Sequence, residues 1–163
     1  MRELIIKGFS VLIDEDDFER VSQYNWGVIN SRGLIYIYSG RGKNSPLGNG
    51  KILGIHRFIM NAPIGKVVDH INHNTLDNRK SNLRICTIGE NAINRSPNKR
   101  GYSKYKGVSW DTDCKKWTAV VSKNKKTVYK KRFKTEMEAA IAYNENALIH
   151  HGEFAHINDF SKT

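Results

Sequence analysis

The sequence predicts an α+β protein built from short strands and short helices. Three observations point there. Short runs alternate apolar and polar residues between Gly, Asn and Asp turn signals, the period of a half-buried strand. Two Thr-x-x-Glu capping boxes, Thr87 with Glu90 and Thr135 with Glu138, mark helix starts. A three-strand pattern from Gly107 to Phe133 runs into a helical period, the order expected of a small sheet packed on one helix.

The elements follow in chain order. Leu4 to Ile6 and Ser10 to Ile13 pair as strands around Gly8, and Asp14 caps a helix over Glu15 to Gln23, with Phe18 and Val21 on its apolar face. Strands are predicted over Trp26–Ile29 and Gly33–Tyr38, then a polar, Gly-rich loop from Gly40 to Gly50. Lys51 to Ile55 reads as another strand, and His56 to Met60 as a short helical turn before Pro63. Lys66 to Val68 leads as a strand into Asp69-His70. Ile71 to Ser81 is an Asn-rich loop without hydrophobic period, Asn82 to Cys86 alternates as a strand, and Thr87 to Arg95 is a helix. The last module has strands at Gly107–Trp110, Lys116–Ser122 and Thr127–Phe133, then a helix over Thr135 to His150 with Met137, Ala140, Ile141, Ala147 and Leu148 on one face. The expected organisation is a mixed N-terminal unit over 1–62, a core over 63–96, a basic linker over 97–103 and a C-terminal domain over 104–160. There is no internal repeat.

Composition narrows the function. The 163 residues carry a formal net charge of +11 and a sequence pI near 9.7, a balance that favours a polyanionic partner, nucleic acid or an acidic membrane surface. No apolar run approaches the roughly 18 residues needed to span a bilayer, and the N-terminus reads as a strand, lacking a signal peptide's apolar core. The expected location is the cytoplasm. Cys86 and Cys114 are too few for a four-thiolate zinc site or a disulfide framework, and are expected to be buried or incidental thiols.

The densest chemistry lies between Val68 and Asn91. Hydrolysing a phosphodiester needs an activated water, charge stabilisation at phosphorus and help for the leaving 3′-oxygen. His70, a neutral imidazole at a strand end, suits the first task. Asp69 supplies an anionic oxygen beside it, and strand neighbours point to opposite faces, so the pair can serve two roles. His73 and Asn74 read as loop formers. Arg79, Lys80 and Arg84 are candidates for the phosphate backbone, with a solvated loop face as the alternative.

The same stretch, Val68-Asp69-His70-Ile71-Asn72-His73 through Asn82-Leu83-Arg84 to Glu90-Asn91, resembles nearly residue for residue the core of HNH endonucleases of the phage and homing type. That resemblance implies a β-hairpin and helix around one metal, the ββα-metal motif. It makes Asp69 a metal ligand and His70 the general base. Asn82 orients the imidazole, with Asn78 the runner-up, and Asn91 completes the metal site. Many members have His where this chain has Asn91. A neutral amide oxygen is the weaker ligand, which favours Mg²⁺ or Mn²⁺ over tightly held zinc. A His-Arg pair like His56-Arg57 recurs upstream in similar phage proteins. Packing on the hairpin is its first reading and a phosphate contact by Arg57 its second.

From Ser96 to Arg132 there are twelve Lys or Arg against two Asp, interleaved with Tyr102, Tyr105, Trp110, Trp117 and Tyr129. Basic strands carrying aromatics suit a sheet laid against DNA. Ser103-Lys104-Tyr105-Lys106-Gly107-Val108-Ser109-Trp110, Lys116-Trp117-Thr118-Ala119, Val128-Tyr129, Arg132-Phe133 and Glu138-Ala139-Ala140, closing at Gly152-Glu153-Phe154-Ala155 and Asn158, resemble the plant ethylene-response-factor (Apetala-two) DNA-binding domain over about Ser103 to Asn158. The resemblance implies base reading in the major groove by the sheet. Its counterparts here are Lys106, Ser109, Ser122, Thr127 and Tyr129, with Trp110, Lys116 and Lys131 as further contacts on the same strands. Ser or Thr replaces several family arginines, so specificity is relaxed or rewritten. Trp117 is assigned to the core.

The reading that joins these parts is a site-specific, homing or phage-type DNA endonuclease acting on double-stranded DNA with one divalent metal. It needs no membrane or obligatory protein partner, and it nicks as a monomer or weak dimer. The alternative is a non-catalytic, sequence-specific DNA-binding regulator. An RNA-binding module is disfavoured, because the paired aromatic motifs of RNA-stacking sheets are missing.

Overall fold

The computed structural model describes residues 1–31, 33–40, 42, 44–48, 51–95 and 102–161. It is an α+β chain that divides into two compact units, Met1–Ile88 and Gly89–Thr163.

The first unit holds three antiparallel two-stranded sheets: β1 (Arg2–Ile6) with β2 (Phe9–Ile13), β3 (Trp26–Ser31) with β4 (Leu34–Ser39), and β5 (Val67–His70) with β6 (Leu83–Cys86). Helix α1 (Glu15–Ser22) follows the first hairpin and α2 (Ile55–Ile59) precedes the third. A lone hairpin is marginal in water. Here one apolar cluster serves all three, with Ile6, Val11, Ile13, Val21, Ile37, Ile55, Ile59, Val68 and Leu83 buried together. The segment before residue 63 therefore shares its core with the hairpin that carries Asp69 and His70.

Two local expectations are corrected. Lys51 to Ile55 is not a strand: Gly54 makes a single bridge to Tyr38, and Ile55 already opens α2. Side chains of the preceding loop satisfy this segment's backbone instead, since Leu53 N donates to Ser39 Oγ at 3.0 Å and Ser45 Oγ donates to Lys51 O at 3.4 Å. Asp14 precedes α1 as expected, but its carboxylate does not cap that helix. Its Oδ2 accepts from Lys80 N at 2.7 Å, tying α1 to the Asn-rich loop.

The middle of that loop is buried, while residues 71–74, 80 and 81 are exposed. Thr75, Asp77, Asn78 and Asn82 are buried, and Asn78 is 0% exposed. Backbone bonds dock it along β2, with Leu12 N donating to Leu76 O and Asn78 N to Leu12 O. Thr75 Oγ1 reaches Ile35 O of β4 at 2.5 Å. Each asparagine side chain of the loop answers a backbone group. Asn72 Oδ1 accepts from Asn74 N, Asn74 Oδ1 from Leu76 N, and Asn82 Oδ1 from Asn72 N. The composition that reads as a flexible turn is a network of short-range amide caps.

Helix α3 (Ile88–Ile93) begins on the last residue of the first unit. Of the expected linker, residues 97–101 lie outside the described residues. Ser103 belongs to the folded second unit, where it is buried and donates to Glu136 Oε1 at 2.6 Å. That unit is an antiparallel sheet of β7 (Val108–Asp111), β8 (Lys116–Lys123) and β9 (Lys126–Phe133), in the order β7-β8-β9, packed on α4 (Glu136–His151). The Thr135–Glu138 capping box is present in both directions.

The buried face of α4 differs from the expected one. Ala139, Ala140, Ala142, Tyr143 and Ala147 are buried, while Met137, Ile141 and Leu148 are exposed. Aromatic rings decide this. Trp117, Tyr129 and Phe133 pack around the cluster of Tyr105, Val108, Ala119, Val121 and Tyr143, so the sheet supplies the bulk and the helix meets it with alanines. The same close approach explains Gly107, where a Cβ would lie 2.1 Å from the Tyr143 ring. Cys86 is buried, and Cys114 is exposed in the turn between β7 and β8. No described helix is long and apolar enough to cross a membrane.

Candidate active site

The third hairpin sets Asp69 opposite Arg84 and His70 opposite Leu83. Both Asp69 and His70 are 7% exposed. Being strand neighbours, they face different partners. Asp69 Oδ2 accepts from Arg84 Nε at 2.9 Å and Nη2 at 2.7 Å, an ion pair with both side chains buried. His70 faces the loop, where its Nε2 lies 3.2 Å from Asn78 Oδ1.

The amide of Asn78 is oriented independently. Its Nδ2 donates to Thr75 O at 3.2 Å, which turns Oδ1 toward the ring. An acceptor at that position requires the proton on Nε2, so Nδ1 carries the lone pair of the neutral imidazole. Burial lowers the pKa of His70, and the Asn78 hydrogen bond and the charges of Asp69 and Asp77 oppose that shift. The lowered pKa favours the neutral imidazole, the form a base requires.

The ring-orienting contact expected of Asn82 is thus made by Asn78. Asn82 is itself buried, but its amide joins backbone groups, accepting from Asn72 N and donating to Asp77 O at 2.8 Å. It holds the two ends of the loop together and so shapes the site without touching the ring through those bonds. Nearness in the motif had already made Asn78 the alternative. What the sequence lacked was the loop's fold, which buries Asn78 completely.

Asn91 lies on α3, in the second unit. Among the described residues no group of three or more His, Cys, Asp or Glu could hold a metal ion. On the hairpin itself the donor at hand is the buried Asp69 carboxylate. That donor fits a hard ion that keeps most of its shell as water and phosphate oxygens, and not a closed zinc site.

The cations assigned to DNA in this region are engaged inside the fold. Arg57 donates to the carbonyls of Ala62, Pro63 and Lys66, closing the turn after α2, which is the packing role. Arg79 grips Asp77 through Nε at 2.7 Å and Nη2 at 2.6 Å, and that hydrogen bond holds Asp77 below its usual carboxylate range. Lys80 Nζ lies 2.7 Å from Asp17 Oδ2. Burial alone would raise the pKa of Asp17, but the hydrogen bonds from Lys80 and Arg20 outweigh it.

In the second unit Lys106 Nζ reaches the carbonyls of Ile93 and Arg95 at the end of α3, and burial, with Arg95 nearby, lowers its pKa to about 8. Register sorts the rest. Val108, Trp110, Trp117, Ala119, Tyr129, Lys131 and Phe133 lie on the helix side. Ser109, Lys116, Lys130 and Arg132 lie on the open face and are exposed. Ser122 pairs with Thr127 beyond an irregularity at Val121/Ser122, and both are exposed. Lys130 and Arg132 were missed as open-face cations. Once Trp117 is turned toward the helix, alternation along β8 places Thr118 and Val120 on the opposite face, where Thr118 is buried beneath its neighbours and the cross-strand partners are Arg132 and Lys130.

Comparison with known proteins agrees with the hairpin chemistry. The model of a family described as HNH endonuclease matches residues 61–93, from the end of α2's turn through α3. A protein named "Uncharacterized HNH endonuclease L560", from Acanthamoeba polyphaga mimivirus, is 35% identical over 157 residues, covering 91% of this chain and 74% of the relative. "Protein 3.8" of Escherichia phage T7 is 34% identical over 98 residues, 58% of this chain and 79% of that protein. No solved structure matches. With a buried Asp-His pair on a hairpin inside the matched segment, and a viral HNH relative 35% identical over 91% of this chain, the chain belongs to the HNH endonuclease family.

Proposed function

We propose that the protein is a site-specific DNA endonuclease of the homing or phage type, with His70 as general base. The observation that carries this reading is the buried His70 ring at the end of β5, with Asn78 Oδ1 3.2 Å from its Nε2. Nδ1 accepts a proton from water as the water oxygen attacks phosphorus, and the P–O3′ bond breaks. The 3′-oxygen leaves and is protonated from solvent. Asp69 and Asn91 would hold Mg²⁺ or Mn²⁺ in a ββα-metal arrangement, and the ion would supply charge stabilisation for phosphate and leaving oxygen. Asn78 keeps the imidazole in one tautomer and one orientation, the part first given to Asn82.

In this reading the C-terminal unit is the DNA reader of Apetala-two type. Its open sheet face presents Ser109, Lys116, Lys130 and Arg132 to the duplex, while Trp110, Tyr129 and Lys131 brace the sheet from the helix side. One active centre cuts one strand, so a monomer nicks. The test is incubation with supercoiled plasmid, with and without Mg²⁺ or Mn²⁺. Open circles that require the metal support the proposal, and intact supercoils under both metals reject it.

One observation favours the second reading, a DNA-binding regulator without cleavage. Arg84 already neutralises Asp69, as a purely structural hairpin would arrange it. Retarded DNA mobility without any nicking would select that reading.

A further inference from the structure

We propose that His56 is a positioning residue for the nuclease reaction: its imidazole, wedged between Gly54 and the tyrosines of β4, forms the wall that holds the ring of His70 in its working orientation. The inference rests on the reading of His70 as general base.

His56 is the second residue of α2 and is 9% exposed. Its ring meets that of His70 at 5.3 Å between centroids and an interplanar angle of 62°. On its other sides stand Tyr38 at 6.2 Å and 88°, and Tyr36 at 6.5 Å. No hydrogen bond reaches the His56 ring among the described residues, so the four rings are joined by packing alone.

Gly54 shows how tightly the wall is built. Its backbone is ordinary, φ −68° and ψ 139°, and any residue could adopt it. A Cβ there would nevertheless lie 2.5 Å from His56 Cε1 and 3.0 and 3.1 Å from the two ring nitrogens. The position needs glycine because the His56 ring lies flat against it. The ring thus cannot retreat from His70 toward its own backbone, and the tyrosines block the sides.

His70 is therefore held from two directions by different means. Asn78 holds one ring nitrogen through a hydrogen bond. The His56 ring meets the body of the ring by contact. Its chemistry suits the place, since burial lowers the pKa of His56 to about 3, and the wall presents no positive charge to a neighbouring base. An aromatic ring of this size is required there, and a titratable one is not.

The test measures plasmid nicking by the full chain in Mg²⁺ or Mn²⁺, separating kcat from KM, together with DNA affinity and melting temperature. Variants are His56→Ala, His56→Phe and Gly54→Ala, with His70→Ala as control. Misplacing a catalytic group by about an ångström costs about 10²-fold. His56→Ala is expected to lower kcat by about that factor with KM and DNA affinity unchanged. Gly54→Ala, which displaces the ring without removing it, should lower kcat in the same way, and His56→Phe should recover most of the loss.

Wild-type kcat in a folded His56→Ala or Gly54→Ala protein overturns the inference. So does a kcat loss that only tracks a fall in melting temperature across the three variants. Undiminished nicking by His70→Ala would instead strike the underlying reading, and the inference with it.

Discussion

The hairpin loop and the C-terminal sheet are both rich in polar and basic residues, and they use them in opposite ways. Around β5 and β6 the cations named for DNA all have partners within the fold. Arg84 pairs with Asp69, Arg79 with Asp77 and Lys80 with Asp17, and Arg57 is bound to three carbonyls. On the open face of β7-β8-β9, Lys116, Lys130 and Arg132 face solvent, with only Arg132 paired, to Asp111. A net charge of +11 therefore overstates what the first unit offers to phosphate. Its cations named for DNA are held by neighbouring carboxylates and carbonyls, whereas Lys116 and Lys130 of the sheet are exposed.

The sharpest way to separate the two regions is to remove one residue from each. His70→Ala should lower kcat for nicking by about two to four orders of magnitude, as expected for loss of a general base, while DNA affinity measured by titration stays at the wild-type value. Parallel loss of both would indicate damage to the fold. Next in size, Arg84→Ala leaves the buried Asp69 carboxylate without its guanidinium, and breaking such a pair costs about 3–5 kcal/mol. Denaturant unfolding should report that loss. A stability change near zero would mean that Arg84 is free to meet DNA after all.

The sheet should respond in the reverse sense. Lys130→Ala and Arg132→Ala are expected to leave unfolding midpoints nearly unchanged. Each phosphate contact removed should lower the slope of log affinity against log salt by about 0.9. Salt slopes equal to wild type would place the DNA surface elsewhere.

The smallest effect concerns acid. The folded-state pKa of His56 is about 3 against a model value of 6.5, because burial disfavours its charged form. A depressed pKa contributes stability that is complete above the unfolded value and is lost as pH falls toward the folded one. His70 shifts in the same direction. Melting temperature should therefore decline from pH 6.5 toward 4, a window above the model value of 3.8 for Asp17 and Asp77. His56→Phe should flatten that decline. An unchanged slope would mean that His56 titrates freely.

Local signals in the chain located most of these elements. Alternation and turn residues marked the β5–β6 and β7-β8-β9 strands to within a residue or two. The Thr135–Glu138 box marked the start of α4, and the Asp69-His70 pair lies on β5. These features depend on neighbours in sequence, and periodicity reports them directly. Three others did not show in that way. Whether Asn78 or Asn82 meets His70 depends on how the loop docks on β2 and β4, through bonds to Leu12 and Ile35 that are distant in the chain.

Which face of α4 is buried depends on bulky rings from the opposing sheet. The helix's own pattern favoured its large aliphatic residues, and the sheet selected its alanines. Whether a cation is available to DNA depends on which carboxylate or carbonyl the fold brings to it. Sequence alone thus determined the kinds of element, their order and the residues able to do chemistry, since those follow from backbone preference and side-chain type. Tertiary structure alone decided which of those residues meet, because side-chain partners across hairpins and loops are chosen by packing in three dimensions.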